Sequence, residues 1–338
     1  MRAESRPEAA TALATADLLD LVRPDLERVE ATLDREITSE VRVVGAVGEH
    51  ILLAGGKRLR PAMVVLSALC VSRDPDRERL ATIAAAVELV HMATLVHDDV
   101  VDATATRRGK ATANAVFGNG VAVLSGDFLL ARSMRLLAID GDLRVIGVVS
   151  EITVEMSEGE VLELVATGNA RLPRDRYLEI LRKKTAAFVA GCCRCGAIVG
   201  GASAAEEEAL GRYGYHLGMA FQIADDLLDY TGEPRVTGKP VGSDLRDGRA
   251  TLPFMLALEQ ARDGDGDRLL SAFGNPELTD SGVREVVRVL ERYQALERAR
   301  DVARCHVELA AEALARLEES AATRCFHALT DYVVQRDR

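Results

Sequence analysis

The stretch that decides the fold is ERLATIAAAVELVHMATLVHDDVVDA, at residues 78–103. Ala and Val are its commonest residues, followed by Leu, and Ala and Leu favour helices. It contains neither Gly nor Pro, and it ends in the acidic motif Asp98-Asp99-Val-Val-Asp102. The stretch therefore predicts one long apolar helix over 77–103 that carries three carboxylates at its end.

The remainder of the chain has the same helical character. LLDLVRPDLERVEATLDREI (18–37) has apolar residues close to every 3.6 positions, and no segment shows sustained strand alternation. We therefore predict an all-α protein, with residues 1–16 as a disordered N-terminus and 17–338 as a single helical domain. Further helices are expected at about 119–139, 142–166, 174–200, 204–230, 250–262, 280–300, 302–319 and 321–335, with loops at 231–249 and 262–279.

Composition narrows the classes of function. The net charge of −11 argues against nucleic acid as a partner, so anionic substrates would need local cations or metal ions. Six Cys in 338 residues do not make a disulfide framework, and we read Cys192, Cys193 and Cys195 as small packing residues. The N-terminus has no signal-peptide pattern, and no run of about 18 apolar residues predicts a membrane span. A cytoplasmic location is expected.

A second acidic motif repeats the first. Asp225-Asp226-Leu-Leu-Asp229 follows the apolar run GMAFQIA. Residues i and i+4 share a helix face, so each motif places two carboxylates side by side, where like charges repel. Mg²⁺ would relieve that repulsion, because it binds one or two carboxylates together with water and phosphate oxygens. One motif alone would fit a solvated acidic face, but two predict a Mg²⁺ site for a diphosphate.

Basic residues form islands near both motifs. They are Lys57, Arg58 and Arg60; Arg107, Arg108 and Lys110; Lys183 and Lys184; and Lys239. Arg binds phosphate with a planar fork and Lys as a point charge. A single island would suit a solvated loop, but their order around the acidic motifs predicts anion sites. His91 lies two helical turns before Asp98 and so shares nearly the same face.

These motifs resemble the trans-isoprenyl diphosphate synthase, or polyprenyl synthetase, family, in its medium- and long-chain type. The matching segments are GGKRLRP (55–61), LVHDDVVD (95–102), RRGKATAN (107–114), GDFLLAR (126–132), KKTA (183–186), FQIADDLLDY (221–230) and GKPVGSDLRDGRATLP (238–253). The resemblance implies a large helical bundle around a central cavity and a homodimer. Its substrates would be isopentenyl diphosphate and an allylic diphosphate, with transient membrane contact for product release.

The resemblance also assigns roles to single residues. Three Mg²⁺ ions in the family's arrangement would bind through Asp98, Asp102, Asp225 and Asp229, with Asp99 and Asp226 in support. Isopentenyl diphosphate would contact Gly56, Lys57, Arg60, His91 and Arg108. The allylic diphosphate would contact Arg107, Lys184, Thr185, Gln222 and Lys239. Lys184 joins the aspartates among the expected catalytic residues.

The implied chemistry is an electrophilic alkylation. The allylic C–O bond breaks, the isopentenyl double bond attacks the resulting cation, and a proton leaves, while an apolar cavity excludes water. Family members with short products carry bulky aromatics where this chain has Ala93 and Thr94. One helical turn spans about 5.4 Å, close to one isoprene unit. We therefore expect a product longer than C20 from a primer such as farnesyl diphosphate, with a geranylgeranyl or shorter product as the alternative.

Other classes fit the sequence less well. His97-Asp98 would suit a metal phosphohydrolase, but the six His of the chain supply no second ligand motif. A non-catalytic subunit of a heteromeric synthase is disfavoured because both acidic motifs are intact. A terpene cyclase shares the chemistry but rarely needs the isopentenyl site that GGKRLRP and His91 would form.

Overall fold

The structure, a computed structural model, describes residues 20–53, 58–107, 109–232 and 241–335. Its α-helices are α1 (Arg23–Ile37), α2 (Arg42–Leu53), α3 (Leu59–Val71), α4 (Arg77–Val101), α5 (Ala113–Phe117), α6 (Asn119–Asp140), α7 (Leu143–Ala166), α8 (Arg174–Leu181), α9 (Ala187–Gly200), α10 (Ala204–Thr231), α11 (Ser243–Arg246), α12 (Leu252–Leu258), α13 (Asp265–Ala272), α14 (Asp280–Arg292), α15 (Ala295–Leu314) and α16 (Ala321–Gln335). The predicted all-α class is confirmed.

The helices fall into two compact units. Among the described residues, the first unit takes those of 20–153, 191–211 and 316–328, and the second takes those of 154–190, 212–315 and 329–335. The expectation of one domain over 17–338 stays a prediction. Residues 1–19, which include the expected disordered N-terminus, lie outside the described ranges.

Helix α4 is the centre of the first unit. The side chain of Asp76 caps its N-terminus by accepting the N–H groups of Glu78 and Arg79 at 3.1 and 3.0 Å. The helix packs against α1, α3 and α6. Among the described residues it alone is long and apolar enough to cross a membrane, but 72% of its apolar 18-residue window is buried inside the protein. Such burial is typical of a core helix.

Helices α4 and α6 approach each other closely at Gly126. A Cβ atom on Gly126 would lie 2.3 Å from Nε2 of His97, well inside van der Waals contact. Nε2 of His97 also lies 3.2 Å from the backbone oxygen of Val123. Gly126 therefore provides the space into which the His97 ring packs, just before the first acidic motif.

The second unit is built around α10, α12 and α15. The core includes Ile223 and Leu227 from α10, Phe254 from α12 and Ala299 from α15, all with no exposed area. Phe254 stacks on Phe273, with ring centroids 4.9 Å apart. This packing holds the second acidic motif on a rigid helix.

Several element boundaries differ from the sequence expectations. The helix expected over 280–300 ends at Arg292, because Gln294 takes a left-handed conformation (φ 52°) and α15 begins after it. Helices α11 and α13 lie inside stretches predicted to be loops. After the first acidic motif, two strands of two residues each, β1 (Thr106–Arg107) and β2 (Lys110–Ala111), pair as an antiparallel hairpin.

Candidate active site

The first acidic motif ends α4. Asp98 is half-buried and Asp102 is exposed, whereas Asp99 is buried and only 6% exposed. The backbone N–H of Asp102 donates to the carbonyl oxygen of Asp98 at 2.8 Å and closes the last helical turn. The i, i+4 pair therefore faces accessible surface, and the middle aspartate faces the interior.

Arg107 holds the buried aspartate. Its Nε and Nη2 lie 2.9 and 2.8 Å from Oδ1 of Asp99. Asn114 Nδ2 donates to the backbone oxygen of Asp99 at 3.0 Å, and Lys110 Nζ donates to that of Leu53 at 2.6 Å. The basic island after the first motif thus fixes the end of α4. Arg108, expected to bind isopentenyl diphosphate, lies outside the described residues.

The basic island at the start of α3 contains one arginine in an ion pair, Arg58, and one expected substrate ligand, Arg60. Arg58 has a left-handed backbone (φ 46°), and its guanidinium contacts Glu30 at 2.5 Å and Glu88 at 3.2 Å. Arg60 and His91, the expected isopentenyl diphosphate ligands on α3 and α4, are both half-buried. Gly56 and Lys57 lie outside the described residues.

The two expected chain-length residues have different environments. Ala93 is 2% exposed and packed in the core, whereas Thr94 is half-buried. The Thr94 hydroxyl donates to the backbone oxygen of His91 at 2.8 Å, within its own helix. Of the two positions, Thr94 has the more accessible side chain.

The second acidic motif lines a cleft of about 310 Å³ in the second unit. Asp225 is exposed in this cleft. Asp229 is turned towards the start of α11, where its Oδ1 accepts the N–H and hydroxyl of Ser243 at 3.0 and 2.7 Å, and its Oδ2 accepts the N–H of Asp244 at 3.1 Å. Asp229, predicted to be a metal ligand, therefore caps a helix here. Its role as a metal ligand stays a prediction.

Asp226 is buried and fully engaged. Its Oδ2 accepts the hydroxyl of Tyr177 at 2.7 Å, and its Oδ1 accepts Nε2 of Gln222 at 3.1 Å. Burial raises the pKa of Asp226 well above its usual range, and the nearby carboxylate of Asp244 adds to that shift. Two neighbouring side chains therefore donate to its carboxyl oxygens, and its expected catalytic role stays a prediction.

Lys184 reaches the cleft from a single π-helical turn, Arg182–Ala186. Such turns interrupt α-helices and are frequent at functional sites. The ammonium group lies 2.7 Å from Glu160 and also pairs with Glu163. Burial opposes its charge, but the two carboxylates outweigh burial and raise the pKa of Lys184. The lysine is therefore charged, and it pairs with two carboxylates that would compete with an anionic ligand.

Thr185 and Gln222 are joined directly. The hydroxyl of Thr185 donates to Oε1 of Gln222 at 2.9 Å, and both residues line the cleft. The structure thus brings together the expected allylic ligands Lys184, Thr185 and Gln222 with Asp225. Lys239, which is also expected to bind the allylic diphosphate, lies outside the described residues.

Sequence reasoning missed several residues of the cleft. These are Glu163, Tyr177, Ser243, Asp244 and Arg249. Asp244 and Arg249 belong to the segment GKPVGSDLRDGRATLP, which carries part of the family resemblance, but no role was predicted for either residue. Glu163 and Tyr177 carry no spacing pattern of their own.

The charge of the cleft fits a divalent cation together with an anion. Five carboxylates line it, against two cationic side chains, Lys184 and Arg249. Among the described residues no group of three His, Cys, Asp or Glu side chains is preformed to hold a metal. Mg²⁺ does not need one, because it takes one or two carboxylates and completes its shell with water and phosphate oxygens.

The three clustered thiols are packing residues. Cys192, Cys193 and Cys195 have no exposed area. Burial raises the pKa of Cys193 to about 12, and the pKa values of its two neighbours rise as well. These thiols are therefore protonated at neutral pH, as expected of residues packed in the core.

Comparisons with known proteins agree on one family. A family model described as Polyprenyl synthetase matches residues 41–290. A short chain isoprenyl diphosphate synthase of Methanothermobacter thermautotrophicus is 36% identical, over 95% of this chain and 99% of that protein. An octaprenyl diphosphate synthase of Escherichia coli is also 36% identical, over 94% of this chain and 98% of that protein.

A solved structure extends the similarity to the fold. The polyprenyl synthase of Caulobacter crescentus, complexed with calcium and isoprenyl diphosphate, superposes with a TM-score of 0.89 at 36% identity. The match covers 96% of this chain and 98% of that one. That relative therefore binds a divalent cation and a prenyl diphosphate on the same fold.

Proposed function

This chain belongs to the polyprenyl synthetase family, and from that premise we propose that it lengthens an allylic diphosphate with isopentenyl diphosphate. The family, the all-α fold and the class of enzyme predicted from the sequence are confirmed. The substrates, the metal and the roles of single residues are proposals that rest on the described side chains.

The observation that carries the proposal is the mixed charge of the cleft. Asp225 is exposed in the same cleft as Lys184 and Arg249, and Thr185 and Gln222, which are hydrogen-bonded to each other, line that cleft too. Cations and polar donors next to an accessible carboxylate suit a diphosphate that arrives with a divalent ion. Lys184 and Arg249 would hold the diphosphate oxygens, and Thr185 and Gln222 would orient them.

We propose Mg²⁺ as the metal: Asp98 and Asp102 would bind it at the end of α4, and Asp225 would bind it in the cleft of the second unit. When bound, Mg²⁺ supplies Lewis-acid neutralisation of charge on the diphosphate. The aspartates' part is to offer accessible oxygens at fixed positions on rigid helices. Arg107 and the hairpin keep Asp99, and with it the end of α4, in place.

No side chain needs to act as a nucleophile in this reaction. Lys184 and Arg249 stabilise the negative charge that grows on the diphosphate as the allylic C–O bond breaks. Arg60 and His91, both half-buried in the first unit, are proposed to hold isopentenyl diphosphate. Its double bond then attacks the allylic cation, and the released diphosphate accepts the proton.

The product is proposed to exceed C20. Thr94, the residue one turn before Asp98, is small and half-buried, and Ala93 beside it is smaller still. Val90 and Ala86, further along the same helix, are also not bulky. No aromatic side chain on this stretch of α4 would stop a growing chain.

A homodimer is proposed from an apolar stripe on α7. Leu143, Val154, Val161 and Val165 are 81, 57, 58 and 78% exposed. At about 100° per residue their spacings place them within roughly 40° of one another around the helix. A row of exposed aliphatic residues is typical of a protein–protein interface, and we propose that a second copy of the chain packs against it.

Incubation with Mg²⁺, isopentenyl diphosphate and farnesyl diphosphate, followed by chromatography, tests the proposal. We expect products longer than C20, and none when EDTA is present. Asp98→Ala and Asp225→Ala should each lose orders of magnitude in turnover with unchanged helicity. Asp175→Ala, an exposed aspartate on α8, is the matched control. Near-normal turnover of either motif variant would contradict the metal role.

A further inference from the structure

Tyr177 is a buried residue of the cleft for which the proposed chemistry has no direct use. It lies on α8, is 4% exposed, and donates its hydroxyl to Oδ2 of Asp226 at 2.7 Å. A hydrogen bond between a buried phenol and a buried carboxyl oxygen is directional, and losing its donor leaves a buried polar oxygen unsatisfied. The remaining oxygen of Asp226 accepts Nε2 of Gln222 at 3.1 Å.

The two neighbours of Gln222 determine which way its amide points. Its nitrogen faces the carboxylate of Asp226, and its oxygen accepts the hydroxyl of Thr185 at 2.9 Å. The reversed amide would set two oxygens against each other at Asp226, so the hydrogen-bond network favours the orientation seen. An amide NH₂ has two donors, and Asp226 uses one of them. The group that Gln222 can offer to an anion in the cleft is therefore its second N–H.

We propose that Tyr177 is a positioning residue for the allylic diphosphate, a role that rests on the function proposed above. Its hydroxyl fixes the carboxylate of Asp226, and that carboxylate in turn fixes the amide of Gln222 with a donor towards the cleft. Without the phenol, Oδ2 of Asp226 is buried and has lost its donor. The carboxylate then rotates towards the Gln222 amide and draws the second N–H away from the cleft.

The test is Tyr177→Phe, with Tyr230→Phe as the matched control. Tyr230 is 3% exposed, lies on the same helix as Asp226, and shares a 2.9 Å hydrogen bond with Oγ1 of Thr251. Both variants lose one buried phenol hydroxyl, but only the first loses the partner of Asp226. In Tyr177→Phe we expect the KM for farnesyl diphosphate to rise about tenfold, as for loss of one hydrogen bond in a buried network.

The KM for isopentenyl diphosphate and kcat should stay within about threefold of wild type in Tyr177→Phe, and every constant should do so in Tyr230→Phe. Equal KM values for farnesyl diphosphate in Tyr177→Phe and wild type would overturn the positioning role, even if the free energy of unfolding falls. A similar rise in that KM in both variants would overturn it too.

If Tyr177→Phe does not fold, Asp226→Asn carries the test. Its NH₂ group would replace the Gln222 nitrogen by the Gln222 oxygen on the side of the cleft, so weaker equilibrium binding of farnesyl diphosphate, measured without isopentenyl diphosphate, supports the proposal and unchanged binding overturns it. Failure of the wild type to extend farnesyl diphosphate is a separate outcome, which would refute the proposed function itself.

Discussion

Nη2 of Arg107 lies 2.8 Å from Oδ1 of Asp99, so a residue assigned by family resemblance to the substrate holds a motif aspartate in this structure. Asp99 is buried and Arg107 is about one-third exposed, so the pair is partly shielded from water. The contact joins the hairpin to the end of α4. Arg107 thereby supports the accessible carboxylates of Asp98 and Asp102.

Arg107→Ala should lower the free energy of unfolding by about 1–3 kcal/mol, because it leaves a buried carboxylate without its charged partner. Urea denaturation measures this change. Arg176→Ala is the control, since Arg176 forms an exposed pair with Glu179, and such pairs contribute little. A loss no larger than that of the control would contradict a structural role for Arg107.

Glu163→Gln should strengthen binding of the allylic diphosphate. Glu163 and Glu160 compete with an anionic ligand for Lys184, and neutralising one of them makes the ammonium more available. We expect the KM for farnesyl diphosphate to fall about two- to fivefold at low salt, less at high salt. Glu158→Gln is the control, because Glu158 lies on the same helix but pairs with Lys183. A raised KM in Glu163→Gln alone would show that Glu163 supports binding.

Thr94→Phe should shorten the product more cleanly than Ala93→Phe. Thr94 is half-buried and shares the face of Asp98, whereas Ala93 is packed in the core, where a phenyl ring costs about 1–3 kcal/mol of stability. Both variants are still expected to shift the products towards shorter chains. Chromatography of the reaction products checks this, and an unchanged distribution in both would refute the chain-length assignment.

Patterns with a fixed spacing were readable from the sequence. Each acidic motif has a fixed internal spacing, the helix that carries the first of them is one unbroken helix-forming stretch, and each basic island is a short cluster. Burial could not be read in the same way. Asp98 and Asp99 are adjacent and chemically identical, yet one is accessible and the other buried, because helix geometry turns them to different faces.

The rest of the cleft depends on contacts between distant segments. Tyr177 meets Asp226 across 49 positions of sequence, and Thr185 meets Gln222 across 37. Neither contact follows from local propensity or periodicity. The break at Gln294 is similar, since neither Gly nor Pro marks that left-handed residue. Such features follow from packing in three dimensions, which a single sequence does not display.

His216 should make the protein less stable at mildly acid pH. Its Nδ1 lies 3.0 Å from Nδ1 of His306, and burial with the nearby charges of His306 and Arg212 lowers the pKa of His216 to about 4. In the unfolded chain His216 is protonated below about pH 6.5, whereas in the folded state it stays neutral down to about pH 4. The unfolded state therefore binds more protons in this range, and folding stability falls as pH drops from about 6.5 towards 4. Burial lowers the pKa of His306 in the same direction.

Urea denaturation at pH 7.5 and pH 5 measures this effect. The free energy of unfolding should drop between the two pH values, and the drop should shrink in His216→Gln. His327→Gln is the control, because it removes a histidine outside this pair. Equal drops in wild type and His216→Gln would refute the assignment.

The most direct test of the central claim is the affinity for an unreactive allylic ligand, farnesyl thiolodiphosphate, measured by calorimetry with and without Mg²⁺. An acid-rich cleft that needs a divalent ion to accept a diphosphate should bind this ligand at least about tenfold more tightly with Mg²⁺ than with EDTA, and Asp225→Asn should lose most of that gain. Equal affinity with Mg²⁺ and with EDTA would contradict the claim.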